Sequence, residues 1–202
     1  MDKPIWAATD GDGTYLLIYQ DKDPINPRKW DNLGTMVCWH RRHTLGDPHK
    51  YENNQQFMDA TFKIPKVIKP LYIYDHSGIV LGFNQSVYPF NDPWDAGQVG
   101  WVYATHQDIR KDQGCKYITK RIKDEVDRLF RAELEEYNRY LSGDVYGYRL
   151  VKSYNCPTCG QDVEEELDSC WGFSGREWKE NGLVDQLAPE YRELVDKLEN
   201  VV

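Results

Sequence analysis

The sequence predicts an α+β fold, with a mostly antiparallel mixed sheet, one long packed helix and a C-terminal helical tail. Short segments rich in β-branched and aromatic residues alternate with turns rich in Pro, Gly, Asp and Asn in the first half. One long segment repeats apolar residues at three- and four-residue steps. With 202 residues, 40% of them apolar, we expect a single domain over residues 1–175 and an acidic helical tail over 176–202 packed on it.

The first half supplies the predicted strands. They are Tyr15–Gln20, Thr35–His40, Leu71–His76, Gly78–Phe83 and Val99–Ala104. The third and fourth form a hairpin around Asp75-His76-Ser77-Gly78, because polar residues and a glycine separate two apolar runs there. The sequence around Asn53–Ala60 is equally compatible with a short helix and with a loop.

The second half begins with the long helix, predicted from Thr119 to Leu141 with Thr119 as its N-cap. Two strands, Val145–Ser153 and Glu165–Phe173, then form a hairpin over residues 145–173. Two short helices near Arg176–Asn181 and Pro189–Leu198 complete the chain.

The net charge of -8 is unevenly distributed. Residues 1–161 contain 21 basic and 21 acidic residues, whereas residues 162–202 contain 4 and 12. An acidic segment repels phosphate, so we expect no non-specific binding to nucleic acid. A neutral body with an acidic end favours a protein partner.

No apolar run is long enough to span a membrane, and the first residues lack the pattern of a signal peptide. Five cysteines, an odd number, make a disulfide framework a poor explanation in a reducing compartment. We therefore expect an intracellular protein that does not bind membranes.

The segment Asp10-Gly-Asp12-Gly-Thr14 matches a string found in haloacid-dehalogenase phosphatases, where the first Asp is the nucleophile. That chemistry places the Asp at the end of a buried strand, but here the strong apolar run follows the motif. We interpret the segment as a hairpin turn, which favours Asp-Gly pairs.

A zinc site is predicted at the tip of the second hairpin, in Cys156-Pro-Thr-Cys159-Gly160. If the hairpin turns near Asp162, Cys170 lies opposite Cys156 and supplies a third thiolate. Free or redox-active thiols are the alternative.

A dense polar cluster, His40, Arg41, Arg42 and His43, is a candidate anion or nucleotide site. Cys38 and His40 would share a strand face and could form a nucleophile pair. In the structural alternative, Asp31, Asp47 or another nearby carboxylate neutralises the arginines. A metal-dependent enzyme would instead require Asp31, Asp95 and Asp144 to converge on the histidines.

Four blocks of the sequence resemble, in order, a family of small proteins encoded by bacteriophages and prophages. They are Trp30–His43 with Leu45–Asp47, Trp94–Tyr103, Leu141–Tyr148 and Asp168–Phe173. The resemblance implies a phage origin and carries no activity with it. Members of that family usually join the last two blocks by a plain acidic hairpin, so the resemblance marks Cys156–Gly160 as an addition.

An acidic phage protein of this size is similar to the inhibitors that phages use against host defence, including anti-CRISPR proteins. By this analogy we expect a protein of the bacterial host's cytoplasm that binds and inhibits a defence protein, such as a single-protein RNA-guided CRISPR nuclease. The predicted partner-binding residues are Glu164, Glu165, Glu166, Glu177, Glu180, Glu190 and Glu193. The alternative is a metal-dependent enzyme or a binding protein that acts on a nucleotide or nucleic acid.

Overall fold

The computed structural model describes residues 3–83 and 94–201. It divides the chain into two compact units, which we call the terminal unit (Met1–Ile25 with Gly143–Val202) and the central unit (Asn26–Ser142). Each unit contains one antiparallel sheet, and the central unit contains one long helix, so the predicted α+β class is confirmed. The predicted single domain stays a prediction.

The strands of the described residues are β1 (Trp6–Thr9), β2 (Thr14–Gln20), β3 (Thr35–Cys38), β4 (Lys66–Asp75), β5 (Ile79–Gly82), β6 (Ala96–Thr105), β7 (Val145–Asn155), β8 (Asp162–Ser174) and β9 (Glu199–Asn200). The α-helices are α1 (Asn54–Thr61), α2 (His106–Gln113), α3 (Lys120–Ser142) and α4 (Leu183–Gln186). No described helix is long and apolar enough to cross a membrane.

The terminal unit is built on a sheet with strand order β8-β7-β2-β1-β9. Leu16, Ile18, Tyr148 and Leu150 face its core because they alternate with residues on the opposite face. The C-terminal segment covers this core with Leu183, Leu187, Leu194 and Val195. The apolar side chains of that segment therefore face the core, and its acidic side chains lie on the exposed side.

The two predicted C-terminal helices differ from the structure. Arg176–Asn181 forms turns, because the Asn181 side chain donates to the Gly175 carbonyl and accepts from the Leu183 N–H. Such local bonds compete with helical hydrogen bonding. Pro189–Lys197 is helical but 3₁₀ rather than α.

The central unit has the strand order β3-β6-β4-β5, all antiparallel. Helix α3 packs on it through an apolar stripe that includes Val126, Phe130, Leu134 and Tyr137, which confirms the predicted long helix. The 50–65 region does contain a helix, α1, whose N-cap Asn53 accepts from the Gln56 N–H. Helix α2 escaped prediction because it buries only Ile109 and so shows no apolar period.

Candidate functional site: a histidine-aspartate cluster and an acidic edge strand

The sheet order of the central unit brings His40 and Asp75 together. Strands β3 and β4 each pair antiparallel with β6. They therefore run parallel to each other, and their C-terminal ends lie at the same end of the sheet. His40 follows the end of β3, and Asp75 is the last residue of β4. Gly100 on β6, the strand between β3 and β4, allows the β3 backbone to approach β6 closely. A Cβ at residue 100 would lie only 2.0 Å from the Val37 carbonyl oxygen.

His40, His43 and Asp75 form what we call the His-Asp cluster. One potential ligand atom from each residue lies within 4.8 Å of the others, the only such group among the described residues. His40 Nε2 is 3.4 Å from Asp75 Oδ2, and the two imidazole rings stack with centroids 5.3 Å apart. The predicted pair of histidines is therefore joined by a carboxylate that the sequence assigns to a hairpin turn.

Electrostatics favour a neutral His40. Partial burial lowers the pKa of His40 below its usual value, and the charges of His43, Arg42 and Arg41 act in the same direction. The negative charge of Asp75 raises the pKa of His40, but by less than these effects together lower it. His40 Nδ1 is buried and has no hydrogen-bond partner in the described part of the chain.

The two arginines of the cluster segment have different environments. Arg42 Nη2 donates to Asp75 Oδ2 at 2.5 Å, while Arg41 is exposed and makes no ion pair with any described residue. Asp47 is not available to either, because the buried Arg28 binds both of its carboxylate oxygens at 3.0 and 2.7 Å. A nearby carboxylate does neutralise Arg42, as we expected for arginines with a structural role. That carboxylate is Asp75 and neither Asp31 nor Asp47.

An open cleft of about 570 Å³ adjoins the cluster and is lined by residues from Cys38 to His49, including both cluster histidines. The Cys38 thiol is buried, which raises its pKa to about 12. A thiol with that pKa is protonated at neutral pH, so the structure does not support the predicted nucleophile pair.

The three loop aspartates do not converge on the histidines. Asp95 pairs with His76 at 2.7 Å, and Asp144 accepts from the Tyr146 hydroxyl at 2.8 Å. Asp31 is exposed, and none of the three belongs to the ligand group found in the described residues. The carboxylate that lies beside the histidines is therefore Asp75 and none of the three predicted aspartates.

The three-thiolate zinc site is wrong. Cys170 pairs with Tyr148 on β7, eight residues before Cys156. At about 3.3 Å per residue the two cysteines lie about 26 Å apart, whereas thiolates sharing one zinc lie within about 4 Å of one another. Cys170 instead packs against the core of the terminal unit.

Cys156 and Cys159 remain together at the hairpin tip. Backbone N–H groups of Cys159 and Thr158 donate to the Cys156 sulfur and lower the pKa of its thiol. The Gly160 N–H donates to the Cys156 carbonyl at 2.8 Å and closes the turn. Zinc at this pair stays a prediction, with two ligands instead of three.

All seven predicted partner-binding glutamates are exposed. Glu166 pairs with Arg149 at 2.5 Å, and the other six make no ion pair within the described residues. Three of the seven lie on β8, which is an edge strand of its sheet. Leu167 and Trp171 on the same strand are also exposed. We call this strand with its side chains the acidic edge.

Comparisons with protein-family models, with curated proteins and with solved structures found no match to this chain. The resemblance to phage proteins therefore stays a prediction based on the four sequence blocks.

Proposed function

We propose that the protein is a binding protein that attaches to a basic surface of a partner through the acidic edge and the acidic residues of the C-terminal segment. The observation that carries this proposal is the exposure of all seven glutamates, six of them without an ion pair among described residues. Carboxylates that are exposed and unpaired are available to a partner's lysines and arginines.

The edge position of β8 supports the same function. An edge strand presents backbone N–H and C=O groups on its outer side, and an extended segment of another protein can add to it. Exposed Leu167 and Trp171 would supply apolar anchors for that segment. The three glutamates that precede Leu167 on β8 would select a basic strand over an acidic one.

We further propose, from the phage resemblance, that the partner is a host defence protein and that binding inhibits it. A nuclease that holds nucleic acid in a basic groove offers a surface of the required charge, and a row of carboxylates competes there with phosphates. An RNA-guided CRISPR nuclease is one such partner.

The test combines capture with charge reversal. The tagged chain is used to capture proteins from a defence-bearing bacterial lysate, and a purified, guide-loaded nuclease is tested in parallel. Inhibition of DNA cleavage is then measured for the wild type and for a variant with Glu164, Glu165, Glu177 and Glu180 changed to Lys.

A matched control reverses four exposed acids of the central unit, Glu52, Asp59, Asp112 and Asp124, and so changes the net charge equally. The proposal requires the first variant to lose binding and the control to retain it. Equal retention by both variants, or capture of no stoichiometric partner, would contradict an acidic interface.

A second candidate function is nucleotide binding at the cleft beside the His-Asp cluster. The observation that favours it is the lining of that cleft by Trp39, His40 and Arg41, which combines an aromatic ring with a cation that has no ion pair in the described chain. Nucleotide-like ultraviolet absorbance that co-purifies with the wild type, and not with Arg41→Gln, would establish it. Absence of that absorbance and of any thermal shift with nucleotides would reject it.

A further inference from the structure

We propose that His40, His43 and Asp75 bind a divalent transition-metal ion such as Zn²⁺. Two imidazoles and one carboxylate are a ligand set that suits such ions and leaves at least one coordination position for water or another ligand. The site lies in the central unit and uses none of the acidic residues of the proposed interface, so it can be tested independently.

The spacing of the donor atoms fits an ion better than it fits direct pairing. His40 Nε2 and Asp75 Oδ2 are 3.4 Å apart, beyond the ordinary range of a hydrogen bond. Two ligands of a tetrahedral zinc, each about 2.1 Å from the metal, are separated by about 3.4 Å. The third donor lies within 4.8 Å of both and belongs to His43, an exposed side chain that can tilt inward.

His40 is held in place without a hydrogen bond that would account for its position. Its Nδ1 is buried and has no partner among the described residues, and its Nε2 faces only the long contact with Asp75. Neither nitrogen of His40 therefore has a close hydrogen-bond partner in the described part of the chain. In the tautomer with the proton on Nδ1, the lone pair of Nε2 faces the Asp75 carboxylate, and a metal ion between Nε2 and Oδ2 would bind both atoms.

Arg42 is the competitor for the ion, because its guanidinium donates to the same Asp75 oxygen that faces His40. Its side chain is 65% exposed, so it can leave Asp75 and remain solvated. An exposed ion pair of this kind contributes little stability, and the metal can displace it at small cost. Removing Arg42 should therefore tighten metal binding.

The experiment titrates Zn²⁺ and Co²⁺ into the full chain carrying Cys156→Ser and Cys159→Ser, which removes the other candidate metal ligands. Calorimetry gives the affinity and stoichiometry, and the ligand-field absorption of Co²⁺ reports the coordination. His40→Ala, His43→Ala and Asp75→Asn are compared with the control His76→Ala, which removes a histidine at the same sheet edge. Arg42→Gln is compared with Arg41→Gln.

We expect one ion per chain and a loss of affinity of at least about tenfold in each of the three ligand variants. His76→Ala should bind as the parent does, and Arg42→Gln should bind up to about fivefold more tightly than Arg41→Gln. His43→Ala is decisive, because the exposed His43 side chain loses only its stacking on the His40 ring and no contact with the apolar core. Failure of the parent to bind either ion, or unchanged binding in His43→Ala and Asp75→Asn, would overturn the site.

Discussion

Asn138 on helix α3 binds both backbone groups of Leu81 on β5. The Leu81 N–H donates to Asn138 Oδ1, and Asn138 Nδ2 donates to the Leu81 carbonyl, both at 2.8 Å. Strand β5 is at the edge of its sheet, so the side-chain amide takes the place of a neighbouring strand. The packing of α3 is therefore directed by a polar contact as well as by its apolar stripe.

Asn138→Ala should destabilise the protein by about 2 kcal/mol, because two backbone groups lose their partner in a partly buried contact. Urea unfolding followed by circular dichroism measures this change. Glu135→Ala, an exposed position one turn earlier on α3, should alter the free energy of unfolding by less than about 0.5 kcal/mol. Equal effects of the two substitutions would show that the Asn138 contact is unimportant.

Arg28→Met should destabilise the protein by about 3 to 5 kcal/mol. The Arg28 side chain is only 3% exposed and binds Asp47 at two atoms, with Glu133 3.6 Å away. The substitution leaves two carboxylates in a partly buried site without their cation. Lys29→Met, at the exposed neighbouring position, serves as the control in the same unfolding experiment. A similar midpoint for both variants would contradict the prediction.

Gly147→Ala should displace Trp171. A Cβ at residue 147 would lie 2.1 Å from the Trp171 ring, which crosses the β7 backbone at this point. Overpacking of this kind costs about 1 to 3 kcal/mol, and the displaced indole should change its fluorescence emission. Gly78→Ala is the control, since no atom lies within 4 Å of its added Cβ. An unchanged emission spectrum in Gly147→Ala would refute the contact.

The turn at Asp10 should be sensitive to acid. Hydrogen bonds from the side chain and backbone N–H of Thr14 lower the pKa of Asp10 from 3.8 to about 2. Because the folded-state pKa is the lower one, the carboxylate stabilises the fold above about pH 4, and this contribution disappears as the pH falls toward 2.

Carboxyl NMR titration should place the Asp10 midpoint near pH 2. The difference in unfolding free energy between wild type and Asp10→Asn should shrink over the same interval. Asp12→Asn is the control, because the Asp12 side chain makes no hydrogen bond with the described residues. A midpoint near 4 for Asp10 would contradict the turn geometry.

Local patterns were sufficient for much of the fold. The apolar repeat of α3 and the hairpin of β7 and β8 depend on contacts between residues close in sequence, which periodicity and turn residues report. The Asp10–Thr14 turn was predicted for the same reason, and β2 does pair with β1 across it. By contrast, the strand order within each sheet depends on contacts distant in sequence, on which local periodicity carries no information.

The His-Asp cluster illustrates the difference. The sequence marked His40 and His43, because histidines and arginines are concentrated there, but it assigned Asp75 to a turn. Only the parallel course of β3 and β4 on either side of β6 brings that turn to the histidines. The predicted position of Cys170 opposite Cys156 was wrong for a related reason. The distance between the two cysteines depends on where the hairpin turns and on its bulges, which the sequence pattern does not specify.

The α+β class, the long helix and the concentration of acidic charge after residue 161 follow from the amino-acid sequence alone, because composition and short-range periodicity encode them directly. Which charges are paired depends on the packed structure. Asp47 pairs with Arg28 and Asp75 pairs with Arg42, while six of the seven glutamates have no ion pair among the described residues. Pairing depends on distances of a few ångströms between residues far apart in the chain, and only the packed sheets set those distances.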